Sequence, residues 1–189
     1  MFESRKPVSF RGVPNTLCGM GLVGRTAELE CLEGVLAVAR RGESAALLVV
    51  GQAGIGKTSL LEATANAACD FEVLRARGIE AESGLPYATL LELLRPQLGR
   101  LEELPGAQRE ALAGAFALGS SPADEFALAA ATATVLAQSV AERPTLVVVD
   151  DLQWVDRPSA RAILFAARRV REVALATLLT LREPLQPPV

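Results

Sequence analysis

Leu29, Leu32, Leu36 and Ala39 recur at helical spacing behind Arg25-Thr26, and Gly42 follows Arg40-Arg41, so the spacing predicts an amphipathic helix over Thr26 to Arg41. The next segment, Ala45 to Val50 (AALLVV), is a short unbroken apolar run, the pattern of a strand buried on both faces. It ends at Gly51. A second helix is expected from about Lys57 to Ala68, and Phe71 to Ala76 (FEVLRA) alternates as a strand does. From Gly78 to Arg143 the pattern is helical throughout. Tyr87, Leu90, Leu91, Leu94 and Leu98 form one stripe interrupted near Pro96, and Ala107 to Leu118 forms a second. Ser121-Pro122-Ala123-Asp124 opens a third helix with a cap, a first-turn proline and a first-turn acid. Thr145 to Val149 (TLVVV) is again a fully apolar strand, followed by a helix from about Pro158 to Arg171 and a last strand over Val173 to Leu181. Apolar strands alternating with helices predict an α/β fold with a parallel sheet.

The flanks differ from this body. Met1 to Gly21 carries Arg5 and Lys6, then Pro7, Gly12, Pro14, Gly19 and Gly21, without an apolar run long enough for a signal peptide; a flexible N-terminal tail over residues 1–21 is expected. Glu183-Pro184-Leu185-Gln186-Pro187-Pro188-Val189 reads as a proline-rich stop, which leaves one domain over residues 22–184 and a short end over 185–189. The stretch Phe126 to Ala141 is uncharged, but it is rich in Ala and Thr and falls short of the roughly 20 apolar residues that a bilayer span requires. A buried helix is the expectation there, with no membrane partner.

Composition narrows the chemistry. The 189 residues are 50% hydrophobic, enough for a single core without disulfide or metal staples. With no histidine, His-dependent hydrolysis and His-ligated zinc or haem are excluded. Cys18, Cys31 and Cys69 are too scattered for a Cys-x-x-Cys site and read as reduced thiols of a cytoplasmic protein. Nineteen basic against 22 acidic side chains give a net charge of -3, which argues against direct DNA binding by this chain.

The segment Gly51-Gln52-Ala53-Gly54-Ile55-Gly56-Lys57-Thr58 fits Gly-x-x-x-x-Gly-Lys-[Ser/Thr] in full; chance would produce the match in roughly one chain in a thousand of this composition. It follows an apolar strand and opens a helix, which is the context the chemistry needs. Glycines let the backbone curl so that successive N–H groups, Ser59 included at the helix start, face a polyphosphate at the positive end of the helix dipole. Lys57 is the expected phosphate ligand and Thr58 an expected Mg²⁺ ligand. Leu146 to Asp151 supplies the partner: a buried strand ending in two carboxylates at the ligand-binding edge of a parallel sheet. Asp150 suits the Mg²⁺ site, and Asp151 suits the polarisation of a water molecule. Arg182 ends the last strand at the same edge and could touch the terminal phosphate. Asp156 is better read as a helix cap, and Trp154, the only tryptophan, as packing beneath the loop after Asp151 rather than stacking on a ligand.

Together with these motifs, Leu22-Val23-Gly24-Arg25 with Glu28-Leu29, Gly78-Ile79-Glu80-Ala81-Glu82-Ser83-Gly84-Leu85-Pro86-Tyr87 and Val149-Asp150-Asp151-Leu152-Gln153-Trp154-Val155-Asp156 resemble the ATP-binding domain of the large LuxR-type transcriptional regulators, in the STAND class of AAA+-like P-loop ATPases. The resemblance runs from about Leu22 to Pro184. It implies a three-layer fold with strand order 5-1-4-3-2, the fifth strand lying beyond Val189, and a helical insertion between strands 2 and 3. It implies ATP or ADP with Mg²⁺ as ligands, Val23-Gly24-Arg25 bordering the adenine and ribose, and Arg182 in the sensor position. It also implies a lid, a sensing region and a helix-turn-helix that this sequence does not contain. Slow or lost ATP hydrolysis is expected in their absence, together with association through the open sheet edge. Two other classes fit less well. A P-loop small-molecule kinase would need an arginine-rich lid, and Arg95, Arg100 and Arg109 are too dispersed to form one. A vestigial P-loop interaction module would not need every loop residue type intact.

Overall fold

The computed structural model describes residues 24–116 and 124–183. The N-terminal segment including Val23, residues 117–123 and the proline-rich end lie outside the described residues, and with them Ser121, Pro122, Leu118 and Pro184. Four strands, β1 (Ala45–Gly51), β2 (Glu72–Arg77), β3 (Thr145–Asp150) and β4 (Leu175–Arg182), form one parallel sheet in the order β1-β4-β3-β2. This is the order 1-4-3-2 expected within the 5-1-4-3-2 scheme.

Helices α1 (Thr26–Arg40) and α2 (Lys57–Ala67) cover one face; α3 (Ala88–Leu94), α4 (Gly106–Ala115), α5 (Glu125–Ser139) and α6 (Arg157–Arg169) build the layer on the other. The period-2 alternation of strands decides which side chain faces which layer. In β3, Leu146 and Val148 pack with Leu32, Leu36 and Leu61 of α1 and α2, whereas Val147 and Val149 pack with Leu90, Leu112, Val135 and Ile163 on the opposite side. Every residue of β3 is buried, as its apolar run predicts. A latch closes the α1 side: the Arg40 guanidinium chelates Asp70, bonds the buried Glu33 and lies over the Phe71 ring.

Three expectations need correction. The apolar run of β1 does not become a strand buried on both faces: Leu48 and Val50 are 43% and 40% exposed, because β1 lies at the sheet edge beyond the cover of α3 to α6. The stripe past Pro96 does not continue as an α-helix. It tightens into consecutive 3-10 turns over Arg95–Glu103, with the proline in the first turn, and Gln97 is the buried residue there. The helix expected from Ser121 starts at Glu125, capped by Asp124, whose carboxylate accepts the Ala127 N–H at 2.7 Å. Asp124 is therefore the cap rather than a first-turn acid. No described helix is long and apolar enough to cross a membrane.

Candidate functional site

The loop between β1 and α2 is shaped by two left-handed residues, Gly54 (φ 75°) and Gly56 (φ 92°), the second being the N-cap of α2. A side chain at either position would strain that curl, which is why glycine stands there. Lys57 is the first helical residue and is buried. Its Nζ donates to the carbonyls of Gly51 (2.8 Å) and Gln52 (2.9 Å), which aims the ammonium into the loop and leaves one N–H free of these two bonds. Gln52, Ala53, Gly54, Ile55 and Gly56 are exposed around the curl, with Ser59 the third residue of the helix.

Thr58 reaches across to β3. Its Oγ1 donates to Asp150 Oδ2 at 2.7 Å, joining residues 92 positions apart. Asp150 is 7% exposed, and its other oxygen accepts from Thr180 Oγ1 of β4 and from the Asp151 N–H. The hydroxyl and carboxylate that the sequence analysis paired as Mg²⁺ ligands are thus in direct contact, at the edge of the sheet where all four parallel strands end.

Asp151 departs from the regular backbone at φ 53° and turns away from the strand. Its Oδ2 accepts from Arg77 Nη2 at 2.8 Å and Nε at 3.1 Å, and its Oδ1 accepts from Gln153 Nε2 at 2.8 Å. The hydrogen bond and charge of Asp151 raise the pKa of Arg77 above its ordinary value, so the ion pair is charged on the cation side at all accessible pH. The carboxylate expected to polarise water has both oxygens engaged. Asp156 caps α6 as expected, accepting the Ser159 N–H at 3.0 Å, and it also binds the N–H groups of Tyr87 (2.8 Å) and Thr89 (3.2 Å). The loop over 78–87 is anchored at one end on the last residue of β3 and at the other on Asp156 of the loop that follows it. At its start, the Gly78 N–H donates to the Asp150 carbonyl at 2.9 Å.

A cavity of about 380 Å³ opens over the glycine loop, lined by Ala53, Gly54, Gly56, Lys57, Thr58, Ser59, Arg77, Asp151, Gln153, Trp154 and Arg182. Three cationic side chains face one carboxylate in that lining. With the loop amides, the donor set suits a polyanion, while Thr58 and Asp150 supply the oxygens that a divalent cation takes. Arg182 is thus brought to the same cavity as Lys57. Trp154 is only half-buried and forms part of the wall, rather than packing wholly beneath the loop.

Gly24 (φ 78°) turns the chain into α1, and Arg25 caps that helix. The Arg25 guanidinium bonds Glu28 at 2.8 Å and the Ile55 carbonyl of the glycine loop, linking this segment to the loop. Beside them an apolar cavity of about 250 Å³ lies between α1, β1 and α2, lined by Ala27, Glu28, Cys31, Leu47, Val49 and Leu60.

Arg77 and Gln153 were not singled out by sequence as site residues. The signal for Arg77 was present: it follows the alternation of β2 by one residue, and its register partner is Asp150. Gln153 has one partner two residues away, Asp151, and a second, the Arg182 N–H, that only the tertiary structure brings to it.

A strand, a phosphate-sized glycine loop and a helix, wired to the acidic end of a neighbouring parallel strand, define the P-loop NTPase class. The sequence model of the AAA ATPase domain matches residues 21–181, and the chain belongs to that family. Among solved structures, the chain is similar to one in the structure of Drosophila ORC bound to DNA, with a TM-score of 0.51 and 18% identity over 86% of this chain. At that identity the likeness shows the fold. The match covers 38% of the ORC chain, so this chain spans well under half the length of that relative. No curated protein matches the sequence.

Proposed function

We propose that the chain is the ATP-binding switch domain of a LuxR-type transcriptional regulator, taking Mg²⁺-ATP and Mg²⁺-ADP and hydrolysing ATP slowly. The observation that carries the nucleotide reading is the Thr58–Asp150 hydrogen bond, which joins the glycine loop to the acidic strand end beside a cation-lined cavity. Lys57, Arg182 and the loop amides from Gly51 to Ser59 hold the phosphates, Thr58 and Asp150 the metal ion, and Gly24-Arg25 with the apolar cavity beside them the base. Bound Mg²⁺ would contribute charge neutralisation at the phosphates. Slow turnover is supported by the state of Asp151: two N–H groups of Arg77 occupy its Oδ2, while Oδ1 keeps an acceptor site beside its single bond from Gln153. The regulator reading rests on the quoted motifs, and the acidic net charge keeps DNA binding out of this chain's own role.

Thermal unfolding with Mg²⁺-ATP, Mg²⁺-ADP and Mg²⁺-GTP is the test. A nucleotide at about 100 times its Kd stabilises the fold by about 2.7 kcal/mol, a rise of several degrees. Adenine nucleotides should give this rise and Lys57→Ala should remove it. A folded chain with no shift at millimolar nucleotide overturns the reading. The base position has its own check: Mg²⁺-ADP should protect Cys31 from alkylation while leaving the distant, exposed Cys69 reactive.

A further inference from the structure

Gln153 uses both ends of its side-chain amide. Nε2 donates to Asp151 Oδ1 at 2.8 Å, and Oε1 accepts the backbone N–H of Arg182 at 3.0 Å. The orientation is fixed by chemistry, since the reverse placement would set an oxygen against the carboxylate and an NH₂ against an N–H. Only a primary amide satisfies both partners: a carboxylate there would accept but not donate, and a thioether would do neither. Arg182 is in turn paired with Gly51 at the base of the glycine loop, and the next residue, Glu183, donates its N–H to the Gly51 carbonyl. A continuous line of contacts therefore runs from the glycine loop through the end of β4 and across Gln153 to Asp151. Both Gln153 and the Arg182 side chain border the cation-lined cavity.

We propose that Gln153 is a positioning residue that couples the end of β4 to the Asp151 carboxylate, so that a terminal phosphate engaged by Arg182 changes how Asp151 is held. The inference rests on the nucleotide reading above. Asp151 receives two restraints of different kinds: Arg77 pairs with it as a charge from β2, and Gln153 as a directional link from β4. Both strands end in a cation that lines the cavity, but Arg77 is itself the partner of Asp151, whereas Arg182 at the end of β4 is tied to Asp151 through Gln153.

The test compares Gln153→Met, which keeps the volume and removes both bonds, with Gln153→Glu, which keeps an acceptor for Arg182 and removes the donor to Asp151. Each full chain is titrated with Mg²⁺-ADP and with a non-hydrolysable ATP analogue, and its ATP turnover is measured. Trp154, the next residue and the only tryptophan, reports on the loop by its emission. In the wild type the emission with the analogue should differ from that with ADP; both variants should lose this difference and retain ADP affinity within about threefold. Where turnover is measurable, kcat should fall about tenfold with KM little changed, as misplacement of an orienting group predicts. Wild-type emission in both variants overturns the proposal. A parallel fall in melting point, ADP affinity and kcat reduces Gln153 to a structural brace and also overturns it. A wild type that binds no nucleotide overturns the nucleotide reading itself, a failure seen before any variant is compared.

Discussion

The two loops that face each other across the cavity are built on opposite principles. The glycine loop is local: eight consecutive residues set its shape through two left-handed glycines, and Lys57 bonds carbonyls five and six residues behind it. The loop after β3 is assembled from a distance, with Arg77 from β2, Tyr87 and Thr89 from the entry to α3, and Thr180 and Arg182 from the end of β4. A loop defined by its own backbone can lose a side chain and remain folded. One defined by converging partners transmits each loss into the packing around it. Substitutions in the first should therefore damage ligand binding, and substitutions at the buried anchors of the second should damage the fold.

Asp156 gives the largest expected effect. Its carboxylate is 2% exposed and receives N–H groups from three residues, so Asp156→Ala would strand buried donors on both α3 and α6. A loss of about 4 kcal/mol in unfolding free energy is expected from urea denaturation, with Asp156→Asn recovering part of it. A loss below about 1 kcal/mol would end the claim that this loop is held by its remote partners.

Gly78 comes next. A Cβ there would lie 2.3 Å from the Asp151 carbonyl oxygen, 2.6 Å from the Val155 nitrogen and 2.8 Å from the Trp154 carbonyl carbon. All three are backbone atoms, which cannot swing aside as a side-chain tip can. Gly78→Ala should cost about 3 kcal/mol and shift Trp154 emission in the ligand-free chain. By contrast, Lys57→Ala should leave ligand-free stability within about 1 kcal/mol of wild type while abolishing the stabilisation of about 2.7 kcal/mol expected near nucleotide saturation. Calorimetry of the two variants with and without Mg²⁺-ADP separates the loops directly: one should lose stability at rest, the other only its response.

The same contrast explains what could be read from the chain before its structure was known. Gly51 to Thr58 was legible because its conformation is encoded in consecutive residues, and Asp150 because a buried strand in a parallel sheet delivers its last side chain to the ligand edge. Arg77 shares that edge but falls one residue past the apolar alternation of β2, so periodicity alone ended the strand too soon. Gln153 and Gly78 fall inside the motifs quoted for the family resemblance, but neither follows an apolar period, and their contacts with the end of β4 and with the loop after β3 appear only in the fold. The open face of β1 was hidden for a related reason. AALLVV and TLVVV are equally apolar, and which becomes an edge strand depends on strand order, not on either run. Ser121 and Asp124 are both good cap residues, and local propensity does not choose between starts three residues apart.

The smallest expected effect is the one that most sharpens the contrast, because it separates remote assembly from remote control. Arg77 reaches Asp151 from another strand, as Asp156's partners reach it, but its side chain is 60% exposed. Water screens that ion pair, so Arg77→Ala should change unfolding free energy by less than about 1 kcal/mol. Removing it nevertheless frees Asp151 Oδ2, the oxygen that the pair occupies. ATP turnover in Arg77→Ala should therefore rise by about threefold or more if the pair restrains Asp151 from orienting water. Steady-state phosphate release, measured beside urea unfolding on the same preparation, distinguishes the outcomes. Unchanged stability with raised turnover makes the Arg77 contact a brake on the chemistry; a large loss of stability would return it to the scaffold with Asp156. Unchanged or reduced turnover at wild-type stability would mean that the engaged carboxylate does not account for slow hydrolysis.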